Sequence, residues 1–196
     1  MKHFAGKEIR EFLKAVDRHL QEPCRLEIIG AAVALLCFKA NSGTLDIDTI
    51  SRTGKIEKAC AAARKDTGLD IPVQPVSVWD GPNEYEGRLQ RAASPKLRKL
   101  QILVPEKHDW ALMKLVRFNQ KDIDDLVEVS KSVGFRKDVL LERFLKEMTS
   151  VVLVRPSELV LSFVILFEKL YGKSEADRIE HVVRSDKRWS ALLKGT

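Results

Sequence analysis

Apolar residues recur along this chain first at mixed periods and then at one, and that change sets its layout. Ile9, Phe12, Leu13, Val16 and Leu20 share a helical face, which predicts an amphipathic helix over about residues 7–21, stopped by Pro23. Leu26 to Ile29 is a short apolar run with the length of a buried strand. Ala31 to Phe38 is rich in helix formers, and Asn41-Ser42-Gly43 is a turn. Leu45 to Ile50 alternates as a strand does, and Ile56, Ala59, Cys60 and Ala63 mark a helix closed by Gly68. Val73 to Trp79 reads as a strand interrupted by Pro75, hence at an edge or a bulge, before the turn Asp80-Gly81-Pro82-Asn83. Leu100, Ile102 and Val104 alternate within 97–104, and Pro105 suits the first turn of the next helix. Beyond it the helical period persists. Helices are expected over about 106–118, 121–133, 137–149, 157–171, 174–184 and 187–193, with Gly134 and Gly172 at helix ends.

The layout is an α/β (α+β) part over 1–104 and an all-helical part over 105–196. A chain of 196 residues with 44% hydrophobic content can bury a core without disulfide staples. Cys24, Cys37 and Cys60 form no CxxC pair, so neither a zinc site nor a disulfide framework is indicated, and Cys37 and Cys60 read as small core residues. No apolar run approaches the roughly 18 residues of a membrane span. The first residues lack the apolar stretch of a signal peptide, so a cytoplasmic location with no membrane partner is expected. The apolar tail from Val151 to Leu170 places Leu159, Phe163, Leu166, Phe167 and Leu170 at helical spacing, for the core or for an oligomer contact. Net charge is +6. Arg88, Arg91, Lys96, Arg98 and Lys99 lie in a run without an acid, which suits either RNA and phosphate contacts or a solvated loop and strand edge. No aromatic residues interleave them.

The candidate chemistry lies between Gly30 and Asp48. Residues two apart on a strand share a face, so Asp46 and Asp48 would project together while Leu45 and Ile47 anchor the strand. Two such carboxylates suit Mg2+, a hard cation that prefers oxygen and often bridges carboxylates and substrate phosphates. An isolated Asp-x-Asp also fits the polar face of an edge strand, and no EF-hand loop follows. Gly30 ends one strand where a helix opens at Ala31, offering free backbone N–H groups to a phosphate.

Strand, Gly, helix, turn, Thr and Asp-x-Asp in this order resemble the nucleotidyltransferase (polymerase-beta-like) superfamily. The closer resemblance is to AbiEii/MenT-type toxin nucleotidyltransferases and related small bacterial proteins. Trp110-Ala111-Leu112-Met113-Lys114-Leu115-Val116-Arg117 and Lys121-Asp122-Ile123-Asp124-Asp125-Leu126 match their later lysine and aspartate motifs. The resemblance spans about residues 25–130 and implies a mixed sheet flanked by helices, with the helical part completing the active-site cleft. It implies that Gly30 and the Ala31 backbone cradle a triphosphate and that Asp46 and Asp48 hold magnesium. Thr44 would touch the nucleotide, Lys114 would neutralise phosphate charge, and Asp122 or Asp125 would orient or deprotonate an acceptor hydroxyl. The implied substrates are a nucleoside triphosphate and a tRNA or protein acceptor, and the implied partner is a cognate antitoxin.

The residues alone leave Lys114 open as a solvated helix lysine, and Asp122 and Asp125 as an acidic helix start. Ala31 stands where the superfamily often has Ser or Gly. The usual third carboxylate has no counterpart, Asp80 lying at a turn. A catalytically impaired binding module of the same fold is the alternative function. A helical adaptor with only surface acids is a third.

Overall fold

In the computed structural model, which describes residues 2–195, the chain divides into two units. The first comprises Met1–Val78 with Leu89–Pro105, the second Trp79–Arg88 with Glu106–Thr196.

In the first unit the amphipathic pattern at the start folds as helix α1 (Gly6–His19), which buries Ile9, Phe12, Leu13 and Val16. Strand β1 (Cys24–Glu27), helix α2 (Ala31–Cys37), strand β2 (Ile47–Thr49), helix α3 (Glu57–Thr67) and strand β3 (Val73–Pro75) follow. Two further strands, β4 (Gln90–Arg91) and β5 (Leu100–Val104), complete the unit. β5 pairs in parallel with β1 and antiparallel with β4, while β2 pairs in parallel with β3. An antiparallel bridge between Ile28 and Thr49 joins the two sets. There the Ile29 N–H donates to the Asp48 carbonyl at 3.0 Å and the Ile50 N–H to the Glu27 carbonyl at 3.1 Å. The result is a small mixed sheet flanked by helices, as the α+β reading expects. Its core is apolar and tightly shielded, with Leu26, Ile28, Val33, Leu35, Ile47, Ile71, Leu100 and Ile102 buried.

Several strand bounds differ from the alternation. The strand expected at Leu26–Ile29 pairs instead as Cys24–Glu27, because Ile28 turns to bridge the other neighbour. The strand expected at Leu45–Ile50 is only Ile47–Thr49, so Asp46 lies on the bend before it and Leu45 is half-buried. The run from Val73 stops at Pro75, an edge position as its missing N–H requires.

One ionised side chain ties α1 to the start of β5. The Asp17 carboxylate accepts backbone N–H bonds from Arg98 at 3.0 Å, Lys99 at 2.7 Å and Leu100 at 2.7 Å. Burial opposes its charge, but these donors outweigh burial and hold its pKa below the usual carboxylate value. The cysteines are free, and burial pushes the Cys37 and Cys60 thiols up to about 11, which keeps them protonated and unreactive.

The second unit is helical: α4 (Lys107–Lys114), α5 (Gln120–Val133), α6 (Lys137–Glu147), α7 (Pro156–Tyr171), α8 (Lys173–Ser185) and α9 (Lys187–Lys194). The apolar tail sits on its core: Leu159, Phe163, Leu166 and Phe167 of α7 are buried, Leu170 only half so. Phe144 stacks on Phe163 at 3.9 Å and on Trp189 at 4.5 Å between ring centroids. Pro105 does not enter the first turn of α4, since Glu106 caps that helix by accepting the His108 N–H at 2.9 Å. α4 also ends short of 118, where Phe118 takes a left-handed backbone at φ 39°.

The segment Trp79–Arg88 is held by ion pairs. Arg88 makes two bonds of 2.9 Å to Asp109 and reaches Glu147 at 2.6 Å, while Arg143 bonds Glu106 at 2.6 Å and Asp109 at 3.0 Å. Arg88 therefore leaves the solvated basic run. Among the described residues no helix is long and apolar enough to cross a membrane.

Candidate functional site

In the first unit two of the candidate residues, Gly30 and Asp48, meet where β1 gives way to α2. Gly30 has φ 72° and ψ −153°, a conformation that residues with a Cβ avoid. A Cβ on Gly30 would also lie 2.7 Å from the Asp48 Oδ2 atom and would push that carboxylate aside. The bond from the Ile29 N–H to the Asp48 carbonyl sets this register, so the sheet itself presses the carboxylate against the backbone that opens α2. Asp48 is half-buried on β2 between Ile47 and Thr49, both fully buried.

Asp46 is half-buried on the preceding bend, and its carboxylate has no hydrogen bond or ion pair among the described residues. Thr44 is buried and its hydroxyl donates to the Asp46 carbonyl at 3.2 Å. Its backbone pairs with Phe4 through bonds of 2.7 and 3.1 Å. Thr44 thus fixes the bend that carries Asp46.

The donor set fits a hard divalent cation. Mg2+ is commonly held by one or two carboxylates, with substrate phosphates and water as its remaining ligands. Among the described residues no group of three or more His, Cys, Asp or Glu could hold a metal. A cation at Asp46 and Asp48 would therefore take most of its ligands from a phosphorylated substrate and water. Asp80 belongs to the second unit, where it accepts the N–H groups of Gly81 at 3.0 Å and Val152 at 2.7 Å.

In the second unit Lys114, Asp122 and Asp125 come together. The Lys114 ammonium donates to Asp122 at 2.8 Å and to Asp125 at 2.7 Å, and all three side chains are at most 5% exposed. This excludes a solvated lysine and a surface acidic pair. Asn119 and Asp122 form a reciprocal cap at the start of α5, which places the Asp122 carboxylate at the helix entrance. Arg117 reaches Asp122 through two bonds of 3.0 Å, and Lys121 approaches Asp125 at 3.4 Å. Burial would raise the Asp122 pKa, but the Arg117 hydrogen bonds and the Lys114 charge overcome it and leave that pKa lowered. The cluster holds the Lys114 ammonium in one place, with Arg117 and Asn119 on Asp122 and Lys121 on Asp125. Arg117 and Lys121 were legible only as neighbours in the motifs. The four-residue spacing of Lys121 and Asp125 was the available signal for one of these pairs.

A model of the family described as "Nucleotidyltransferase of unknown function (DUF6036)" matches residues 7–174. No curated protein and no solved structure matches the chain.

Proposed function

The chain belongs to this nucleotidyltransferase family, and from that premise we propose that it moves a nucleotidyl group from a nucleoside triphosphate to an acceptor hydroxyl in a magnesium-dependent reaction. The acceptor oxygen bonds to the α-phosphorus, the bond to the bridging oxygen breaks, and pyrophosphate leaves with that electron pair. The acceptor's proton passes to a base. The observation that carries the reading is the close apposition of Gly30 and Asp48 where α2 opens.

Each residue then has a task. Gly30 and the Ala31 backbone cradle the triphosphate, because a side chain at position 30 would occupy the space beside the carboxylate. Asp46 and Asp48 hold the cation, and Thr44 keeps the Asp46 bend in place. Magnesium, when bound, offsets negative charge on the phosphate oxygens. In the second unit the Lys114 ammonium is held by Asp122 and Asp125, and the resemblance assigns these three residues phosphate neutralisation and acceptor activation. The resemblance to toxin nucleotidyltransferases extends the proposal to a cytoplasmic toxin countered by a cognate antitoxin, with tRNA or a protein as acceptor.

A second reading, a catalytically impaired binding module, is favoured by one observation: among the described residues no group of three or more His, Cys, Asp or Glu could hold a metal. Thermal melting with Mg2+ and each nucleoside triphosphate tests the ligand shared by both readings. A raised midpoint in the wild type, absent in Asp48→Ala, is expected. No shift with any triphosphate would contradict both.

A further inference from the structure

The first unit carries a second feature that the transfer reaction does not use. Beside α1 lies a cavity of about 530 Å³ lined by Lys14, Arg18, Lys96, Arg98 and Lys99, with Asp17 and Leu97. A second cavity of about 360 Å³ shares Lys96 and Leu97 with it and extends to Arg91. The six cations are all exposed. Their sequence sources differ. Lys14 and Arg18 are four apart on α1 and so share its outer face, while the others come from the segment before β5.

The one acid in the groove lining, Asp17, carries a single charge against six cations. The Asp17 carboxylate is occupied by the backbone N–H groups of Arg98, Lys99 and Leu100. Lys14, Arg91, Lys96 and Arg98 have no ion pair or side-chain hydrogen bond among the described residues. Arg18 meets Asp66 only at 3.8 Å, and Lys99 donates to the Leu20 carbonyl. Six cations lining adjoining cavities outnumber the acids beside them, and a polyanion would offset the excess.

The lining also restricts which polyanion. It contains Ala92, Ala93, Pro95 and Leu97 but no aromatic residue. Single strands are usually gripped by stacking their bases on aromatic rings, and nothing here offers that. A double helix hides its bases and presents regularly spaced phosphates, which exposed Lys and Arg side chains suit.

We propose that this basic groove binds the phosphate backbone of a double-stranded nucleic acid, without reading its sequence. The inference does not depend on nucleotidyl transfer.

Fluorescence anisotropy on the full chain, without triphosphate or magnesium, tests it. The probes are labelled duplex RNA, duplex DNA and the separate single strands, with poly-glutamate as competitor. Wild type should bind a duplex more tightly than either single strand, with affinity falling steeply as salt rises. In the variant Lys14→Gln/Arg18→Gln/Lys96→Gln/Arg98→Gln, the slope of log affinity against log salt should fall by about 0.9 for each phosphate left without its cation. Affinity at low salt should drop more than tenfold. The pair Lys96→Gln/Arg98→Gln should give about half that change in slope, and serves if the fourfold variant melts early. The duplex that binds more tightly identifies the A-form or B-form partner. Absence of duplex binding, equal binding by the variants, preference for single strands, or displacement by poly-glutamate at matched charge would each overturn the proposal.

Discussion

Gly30 is where conformation and chemistry meet most closely. Its positive φ disfavours any side chain, and a Cβ there would lie 2.7 Å from the Asp48 carboxylate and displace it. Gly30→Ala should therefore cost about 1–3 kcal/mol of stability and most of the transfer activity, measured by urea unfolding and by label transfer. A fully stable, fully active Gly30→Ala would refute the assigned role. At Lys114 the cost arises from charge. Lys114→Met leaves two buried carboxylates facing the space it vacates, and should destabilise the chain by about 3–5 kcal/mol. Pairing it with Asp125→Leu should recover part of that loss, and additive losses in the double-mutant cycle would show that the two side chains are not coupled. Gly30 and Asp48 were legible in the sequence because a glycine between an apolar run and a helix is conspicuous. The service of the Thr44 hydroxyl to the Asp46 bend and of Asp80 to the Val152 loop was not, since both depend on bonds that spacing does not encode.

Among the elements, helices were read closely and strands less so. The period of α1 and α7 survives in the fold because each buries a continuous stripe. β2 shrank to Ile47–Thr49, and the two-residue β4 left no alternation to find. The start of α4 shows what a local pattern conceals. Glu106 caps it and also bonds His108 Nδ1 at 2.9 Å and Arg143 at 2.6 Å. Because His108 Nε2 accepts the Arg136 N–H, its Nδ1 carries the proton donated to Glu106. Burial would raise the Glu106 pKa, but His108 and Arg143 bring it down to about 2 from 4.5. A depressed carboxylate contributes stability that is full above its unfolded value and lost as pH falls through the folded one. Glu106→Gln should therefore be less stable than wild type at pH of about 6, by up to about 3 kcal/mol. The gap should narrow as pH drops from 4.5 towards about 2. Urea unfolding across that range checks it, and a gap that does not change with pH would contradict the assignment.

For the whole molecule, the α+β class followed from the change of period near residue 104, because hydropathy reports which faces are buried. The passage of Trp79–Arg88 into the second unit leaves no such trace. It is held partly by Arg88, a member of a basic run whose pairing with Asp109 and Glu147 spans 21 and 59 residues of sequence. Arg88→Met would strand the buried Asp109 beside Arg143 alone, so a loss of about 3–5 kcal/mol is expected. Unchanged unfolding of that variant would show that the segment is held by other contacts.

The transfer reaction proposed for the first unit turns on Asp48, set against Gly30. The decisive assay is incubation with each α-labelled nucleoside triphosphate, Mg2+ and either total tRNA or total protein, comparing wild type with Asp48→Asn. Covalent label should appear on one acceptor class, depend on magnesium and be lost in Asp48→Asn. Label transferred equally by the variant, or transferred to neither acceptor with any triphosphate, would contradict that role.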